Sequence, residues 1–276
     1  MKLIDPSVTL IQQSPGITGI YKQIEIAARN CYKSEDNITE HSYEKMYNML
    51  RKKGHLAMLE HGTVYLTLKW WHIIKFFKYL FNPYSKVHRF KYVTTNLRVL
   101  TEHNWIGDLL FLSKIPTKYH EKRITLKFNT NIGVTREGNR HRTFSIAEQS
   151  TRYCNYTDKN KFGKDIIFIK PSWYDQSTDE QKQRFEYALR VVESAYKYLI
   201  EKKWGPQQAR EVLSLATKSE IIYTAFTSDW KHWFDLRLFG VTGKPHPNME
   251  QIARLAKEEL QKYGLWDLIY GSNKEE

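Results

Sequence analysis

Two segments in which apolar and polar residues alternate constrain the fold most strongly. Residues 123–130 place Ile124, Leu126 and Phe128 between polar neighbours, and residues 64–68 alternate in a similar way. Because consecutive side chains of a strand point to opposite faces of a sheet, each segment is predicted to be a half-buried strand. We expect these strands to form a pair that provides rigid backbone beneath the polar segment that comes next in the chain.

Shorter patterns predict the remaining elements. Apolar runs predict further strands at residues 8–11, 165–169 and 221–224. Apolar spacing and capping residues, including Ser42, Thr178 and Ser228 as N-caps, predict helices at residues 20–31, 42–50, 71–81, 101–112, 178–199, 206–213, 228–237 and 246–260. We therefore predict one α+β domain over residues 1–276, an antiparallel sheet with flanking helices. Residues 70–117 are interpreted as an elaboration on this fold, and residues 271–276 as a frayed end.

The charge of the chain favours anionic partners. The formal net charge is +13 and the isoelectric point is about 9.5, which suits DNA, RNA or small phosphorylated ligands. The 13 Phe, 8 Trp and 18 Tyr residues indicate an ordered globule and not a basic disordered tail. A noncatalytic protein that binds nucleic acid through this basic surface is therefore one hypothesis.

The sequence gives no indication of a membrane span, a disulfide framework or a metal site. No apolar run reaches the roughly 18 residues that a membrane span requires, and the first six residues lack the apolar core of a secretory signal. Cys31 and Cys154 are the two cysteines, and their spacing is not that of metal ligands. We expect a cytoplasmic protein with reduced thiols, no bound metal and no membrane partner.

Residues 140–156 combine charge with aromatic rings. The segment contains three arginines, a histidine, a glutamate and two serines, and Phe144, Tyr153 and Tyr156 lie among them. Guanidinium groups suit phosphate and planar oxygen pairs, and Glu148 and Ser150 provide polar partners for a ring. The mixture favours a nucleotide-binding cleft over a solvated basic face.

The spacing within this segment resembles the signature of the flavin-dependent thymidylate synthases. The matching residues are Arg140-His141-Arg142, Ser145, Glu148, Ser150 and Arg152-Tyr153. The resemblance implies reductive methylation of dUMP to dTMP, with methylenetetrahydrofolate as carbon donor and FAD, reduced by NADPH, as the source of hydride. It also implies a homotetramer with sites between subunits.

The resemblance further implies a role for individual residues. Arg237 is expected to be the catalytic residue, because a fixed cation favours the negative charge that develops as a pyrimidine nitrogen ionises. Ser150 has no convincing base beside it in the sequence, so it is assigned to substrate binding and not to nucleophilic attack. The implied cofactor-binding residues are His55, Arg140, His141, Arg142, Glu148 and His232, and the implied substrate-binding residues are Glu148, Gln149, Ser150, Thr151, Arg152, Arg210 and Arg237.

Some of these residues have ordinary structural alternatives. His55 follows a predicted helix, where a histidine that caps the helix is as reasonable as a flavin contact. An arginine in the position of Arg237 is commonly a surface ion-pair partner, but its aromatic helix and its separation from Arg210, which matches that of two family arginines, favour the functional role.

The chain also departs from the family pattern. Ala57 replaces a small hydroxyl residue, Ser214 replaces a proline, and Thr151 lies where a glycine is sometimes found. At residues 136–139 this chain has Arg-Glu-Gly-Asn, where the family usually has a histidine or glutamine and bulkier apolar residues. These departures leave a third hypothesis, a family member that binds FAD without turnover. Nucleic-acid binding, in contrast, requires no flavin and weakens steeply as salt is raised.

Overall fold

The computed structural model describes residues 1–163 and 165–271. The strands are β1 (Lys2–Ile4), β2 (Ser7–Ile11), β3 (Thr63–Thr67), β4 (Lys86–His88), β5 (Tyr92–Asn96), β6 (Arg123–Asn131), β7 (Ser145–Glu148), β8 (Ile167–Ile169) and β9 (Lys218–Phe226). The helices are α1 (Gly16–Tyr32), α2 (Ser42–Lys52), α3 (Ile73–Leu80), α4 (Leu97–Glu102), α5 (Ile132–Gly138), α6 (Lys159–Phe162), α7 (Asp179–Glu201), α8 (Pro206–Ala209), α9 (Thr227–Arg237), α10 (Pro247–Lys262) and α11 (Asp267–Tyr270).

The central sheet is antiparallel and has the strand order β2-β6-β9-β7. Strands β6 and β9 pair over nine residues each, with Leu126 opposite Tyr223. A second antiparallel sheet has the order β3-β5-β4, and β1 pairs with β8 in parallel. The predicted α+β class, an antiparallel sheet with flanking helices, is therefore confirmed.

The core lies on both faces of the central sheet. On one face, Leu126 and Phe128 of β6 pack with Trp230 and Trp233 of α9 and with apolar residues of α10. The indole nitrogen of Trp230 donates to the carbonyl of Ile124 at 3.0 Å, whereas the indole nitrogen of Trp233 has no hydrogen-bond partner among the described residues. On the other face, α1 approaches β7 and β9. Strand β9 thus contributes apolar residues to both faces, with Ile221 and Ala225 on one and Ile222 on the other.

The expected pairing of residues 64–68 with residues 123–130 was wrong. Both segments are strands, but β3 pairs with β5 in the second sheet, and β6 pairs with β2 and β9. Alternation reports that a strand has two distinct faces and does not specify its neighbour. The partner β5 lies within the elaboration, where no strand was predicted.

Three helix predictions also need correction. Residues 101–112 form the end of α4 and a separate 3-10 turn at Ile106–Phe111, because Asn104 adopts a left-handed conformation with a φ of 58°. Residues 206–213 form α8 and a 3-10 turn at Arg210–Val212. Ser228 lies inside α9, where its hydroxyl donates to Glu121 at 2.6 Å instead of capping the helix.

The other predicted elements are present within a few residues of the expected bounds. The predicted capping box at Thr178 is present, since its hydroxyl accepts from Gln181 N and the Gln181 side chain accepts from Thr178 N. Ser42 is the first residue of α2 and not its cap, and its hydroxyl donates to Glu25 at 3.0 Å. Of the predicted frayed end, residues 272–276 lie outside the described part of the chain.

None of the helices in the described ranges has the length and apolar content needed to cross a lipid bilayer.

Candidate functional site

The segment that leads into the 140–156 region is a short helix held at both ends. The Asn131 side chain caps α5 by accepting from Val134 N at 2.9 Å. At the other end, Gly138 lies so close to Tyr223 that a Cβ on Gly138 would stand 2.2 Å from the phenol oxygen. Only glycine permits this approach. The position of Glu137 and Asn139 is therefore fixed by the central sheet.

The signature continues through β7 into a polar cavity of about 600 Å³. Gln149 N donates to Glu220 O at 2.7 Å, and Ser150 N donates to Cys31 O at 2.9 Å, so the sheet and α1 fix this wall. Arg210 faces the wall from the turn after α8, and its Nη1 donates to Thr151 Oγ1 at 3.4 Å. The lining residues are Ile132, Thr135, Arg136, Glu148, Gln149, Ser150, Thr151, Arg210, Glu211, Leu213, Ser214 and Leu215.

Two buried polar atoms on the residues that line this cavity have no hydrogen-bond partner in the described part of the chain. They are Gln149 Oε1 and Ser214 Oγ. A buried polar atom without a partner is costly, so it is a reason to expect a ligand or water there. The amide nitrogen of Gln149 donates to Tyr156 OH at 3.3 Å, which holds the side chain in place. The cavity thus offers a cation, an acceptor and hydroxyls to one polar ligand.

A larger, mostly apolar cavity of about 950 Å³ adjoins the polar one. The two cavities share Ser214 and Leu215, and Glu137 contributes to the wall of the larger one. Aromatic residues Trp173, Tyr174 and Phe185 also line it. The replacement of the family's proline by Ser214 therefore adds a hydroxyl at the boundary between two cavities.

Arg237 lies in a separate cluster at the end of α9. Its Nε donates to His141 Nε2 at 3.1 Å, its Nη2 donates to Glu137 O at 3.2 Å, and its Nη1 lies 3.4 Å from Glu137 Oε2. The ring of His232 is 5.9 Å from that of His141. The Arg237 side chain is only 17% exposed. The guanidinium is therefore held in one orientation by neighbours from α5 and from the following turn.

His141 is a neutral acceptor in this cluster. Burial is the largest cause that lowers its pKa, and the electrostatic effects of Arg237, His232 and Arg140 add to it, so that the pKa falls to about 4. Because Nε2 accepts from Arg237, the proton of the neutral ring is on Nδ1. The imidazole therefore orients Arg237 without adding a second positive charge.

The link between the two clusters runs through Asn139 and Glu148. Asn139 Nδ2 donates to Glu148 Oε2 at 3.0 Å, and Asn139 Oδ1 accepts from Tyr223 OH at 3.0 Å. Glu148 Oε1 accepts from Ser219 Oγ at 2.9 Å. Glu148 thus lies on the wall of the polar cavity and is tied to the turn that carries the Arg237 partners.

The structure brings together some of the predicted site residues and not others. Glu148, Gln149, Ser150, Thr151 and Arg210 line one cavity. Arg237, His141 and His232 form the second cluster, and Arg237 does not line the polar cavity of its own chain. Outside both groups lie the exposed residues His55, Arg140, Arg142 and Arg152.

Two of these exposed residues have local contacts. The His55 backbone N–H donates to Leu50 O at 2.9 Å and closes the end of α2, a contact that does not involve the imidazole. Arg152 Nε donates to Gln207 Oε1 at 3.2 Å, and its guanidinium lies over the Tyr153 ring. Arg140 and Arg142 have no ion-pair partner among the residues that the structure describes.

Sequence reasoning missed the residues that support the two clusters. Glu137 and Asn139 lie in the segment that departs from the family pattern. Tyr223 is on a strand predicted for its apolar content, and Ser219 precedes the predicted start of that strand. The one indication in the sequence was the polar groups of Tyr223 and Ser219, because a hydroxyl on a buried strand needs a hydrogen-bond partner. Ser145 of the signature is structural, because its hydroxyl accepts from the half-buried Arg123 at 2.8 Å.

The neutral state of His141 gives a prediction about pH. Since its folded pKa lies below the ordinary value of 6.5, the cluster is intact above that value and is lost as the pH falls through about 4. We expect the His141 ring to titrate at about 4 by histidine NMR, with His141→Gln used to assign the resonance. Titration of His141 near 6.5 would contradict the buried acceptor role.

The sequence is similar to one protein family and to a curated relative. The sequence profile of the family described as thymidylate synthase complementing protein matches residues 88–263. A flavin-dependent thymidylate synthase from Geobacter sulfurreducens is 28% identical over 156 residues, which span 54% of this chain and 65% of that relative. The chain thus spans less than two thirds of the length of that relative.

Two solved structures of the UMP/dUMP methylase PolB from Streptomyces cacaoi show a distant overall similarity. The complex with 5-Br dUMP has a TM-score of 0.46 at 18% identity and covers 95% of this chain and 93% of its own. The complex with 5-Br UMP has a TM-score of 0.49 at 15% identity, with coverages of 99% and 96%. Since the profile match extends over more than half of the residues, the chain belongs to the thymidylate synthase complementing protein family.

Proposed function

We propose that the protein is a flavin-dependent thymidylate synthase that methylates dUMP reductively to dTMP. In this proposal methylenetetrahydrofolate donates the carbon and NADPH reduces a bound FAD. The observation that carries the proposal is the polar cavity, in which Glu148, Gln149, Ser150 and Thr151 of the signature lie with the distant Arg210. The family membership and the name of the Geobacter relative support the same reaction.

The polar cavity suits a nucleoside monophosphate. Arg210 and the hydroxyls of Ser150 and Thr151 line this cavity and would hold a phosphate, since a guanidinium and hydroxyls are strong donors to its oxygens. Gln149 Oε1 and Ser214 Oγ offer an acceptor and a hydroxyl to the polar edge of a base or to a ribose. Arg152, exposed beside this wall, adds a second cation for the phosphate.

Arg237 is the residue we propose to act on the pyrimidine. A guanidinium that is fixed before the ligand arrives stabilises negative charge on the ring without reorganisation, and its low exposure increases this effect. The neutral His141 adds no second positive charge beside Arg237. Glu148 is tied to both clusters, which agrees with a role beside both substrate and cofactor.

The exposed cations of the chain fit an anionic dinucleotide. Arg140 and Arg142 present guanidiniums without an ion-pair partner in the described ranges, and His232 presents an exposed ring beside His141. We propose that these residues, together with His55, hold FAD. When bound, FAD supplies the hydride that no side chain can provide.

We also propose a homotetramer in which each site combines residues from different subunits. The polar cavity and the Arg237 cluster are adjacent but do not share one cavity within a single chain. A partner subunit would allow the Arg237 of one chain to face the polar cavity of another. Symmetric homo-oligomers place such complementary surfaces together by construction.

The proposal is tested with purified protein and added FAD. We expect a yellow protein with flavin absorbance, and oxidation of its reduced flavin that depends on dUMP together with methylenetetrahydrofolate. A protein that stays colourless with added FAD, and that binds DNA with an affinity falling steeply with salt, would instead support nucleic-acid binding. Bound flavin without dUMP-dependent oxidation would identify a family member that has lost turnover.

A further inference from the structure

Glu137 provides most of the contacts that fix Arg237. Its carboxylate and its backbone carbonyl each meet one terminal nitrogen of the guanidinium, at 3.4 Å and 3.2 Å. Nε is taken by His141. An arginine has five N–H donors, so three are engaged in these contacts, and two, one on each terminal nitrogen, are left for a ligand. The orientation of those two donors is therefore set by Glu137.

Glu137 is itself held rigidly. It lies in the last turn of α5, whose first turn is capped by Asn131 and strengthened by Thr135 Oγ1 donating to Ile132 O at 3.0 Å. The next residue, Gly138, is pressed against the Tyr223 phenol on the central sheet. A rigid Glu137 keeps the Arg237 guanidinium in one position, whereas a flexible partner would move together with the guanidinium.

The carboxylate adds charge as well as an acceptor oxygen. Both partners are partly buried, with side-chain exposures of 17% for Arg237 and 30% for Glu137. A charged hydrogen bond is stronger than a neutral one, and it opposes the rotation of a long side chain that would otherwise sample several rotamers. Glu137 belongs to residues 136–139, which depart from the family pattern.

We propose that Glu137 is a positioning residue for Arg237 and directs two of its N–H donors at the pyrimidine. The inference rests on the proposed function, because it assumes that Arg237 acts on the substrate. Glu137 acts through Arg237 and is not itself expected to touch the reacting atoms. Its loss should therefore reduce the rate of the chemical step more than the binding of dUMP or of flavin.

The test compares E137A and E137Q in the flavin-loaded enzyme. For E137A we expect kcat of dUMP-dependent flavin oxidation to fall about 10-fold, while KM for dUMP changes by less than about 3-fold and the flavin content is unchanged. E137Q keeps an acceptor oxygen and should lose only about 3-fold. The control is E250Q, which removes a carboxylate paired with Arg254 on the exposed side of α10 and should leave kcat unchanged.

A double-mutant cycle separates positioning from a general structural effect. In an R237K background the planar guanidinium that Glu137 orients is absent. Adding E137A to that background should therefore lower kcat by less than about 2-fold. An equal loss in both backgrounds, or a normal kcat in both Glu137 variants, would overturn the inference. A parent enzyme without bound flavin or dUMP-dependent turnover would instead refute the proposed function, which keeps the two failures distinct.

Discussion

Replacing Arg237 with alanine is expected to lower kcat of dUMP-dependent flavin oxidation by about 100-fold to 1,000-fold, the usual cost of removing one preorganised donor to a developing negative charge. The fold should survive, because Arg237 is the last residue of α9 and its side chain lies beside the core without filling it. The measurement is stopped-flow oxidation of the reduced flavin, with thermal unfolding of the same samples.

The matched control is Arg254→Ala, which removes an arginine that is 63% exposed and paired with Glu250 on α10. That variant should keep full turnover, since an exposed ion pair of this kind contributes little. A normal rate in Arg237→Ala would refute the catalytic assignment and would leave the cluster of Arg237, His141 and Glu137 as an ordinary ion-pair network.

The local part of the fold was predictable because each element carries its own pattern. The alternation of residues 123–130 reflects the two faces of β6, and the apolar spacing of α9 and α10 reflects the core that they share with it. The patterns do not specify which strands pair with each other. β3 and β5 pair across a long insertion that includes α3, and nothing in either strand selects the other over β6.

The candidate site shows the same division between local and distant information. The signature grouped Glu148, Gln149, Ser150 and Thr151, and these consecutive residues line one wall of the polar cavity. The strand β7 was not predicted, because four residues are too few to show a clear alternation of apolar and polar side chains. The support of Arg237 by Glu137 joins residues on two separate helices, and such contacts arise only when α5 and α9 pack on one sheet.

The largest effect on stability is expected at Glu220, which lies behind the wall of the polar cavity. Its carboxylate is 5% exposed and is surrounded by Lys33, Lys127 and Lys218. Two of these ion pairs measure 2.7 Å, to Lys33, and 2.6 Å, to Lys127. Burial opposes ionisation of the carboxyl group, but the three ammonium charges outweigh it and lower its pKa to about 2.

Replacing Glu220 with glutamine should lower the free energy of unfolding by about 3–5 kcal/mol, because three partly buried ammonium groups lose their shared counter-charge and only Lys33 and Lys127 keep a second carboxylate, that of Glu35. The folded pKa lies below the ordinary value of 4.5, so this stabilisation is present above that pH and is lost as the pH falls towards 2. Denaturant unfolding should therefore separate the variant from the parent near neutral pH and bring them together in acid. Glu201→Gln, at an ion pair whose carboxylate is 76% exposed, should match the parent throughout. A difference between the Glu220 variant and the parent that stays constant down to about pH 2 would mean that packing, and not charge, explains the effect.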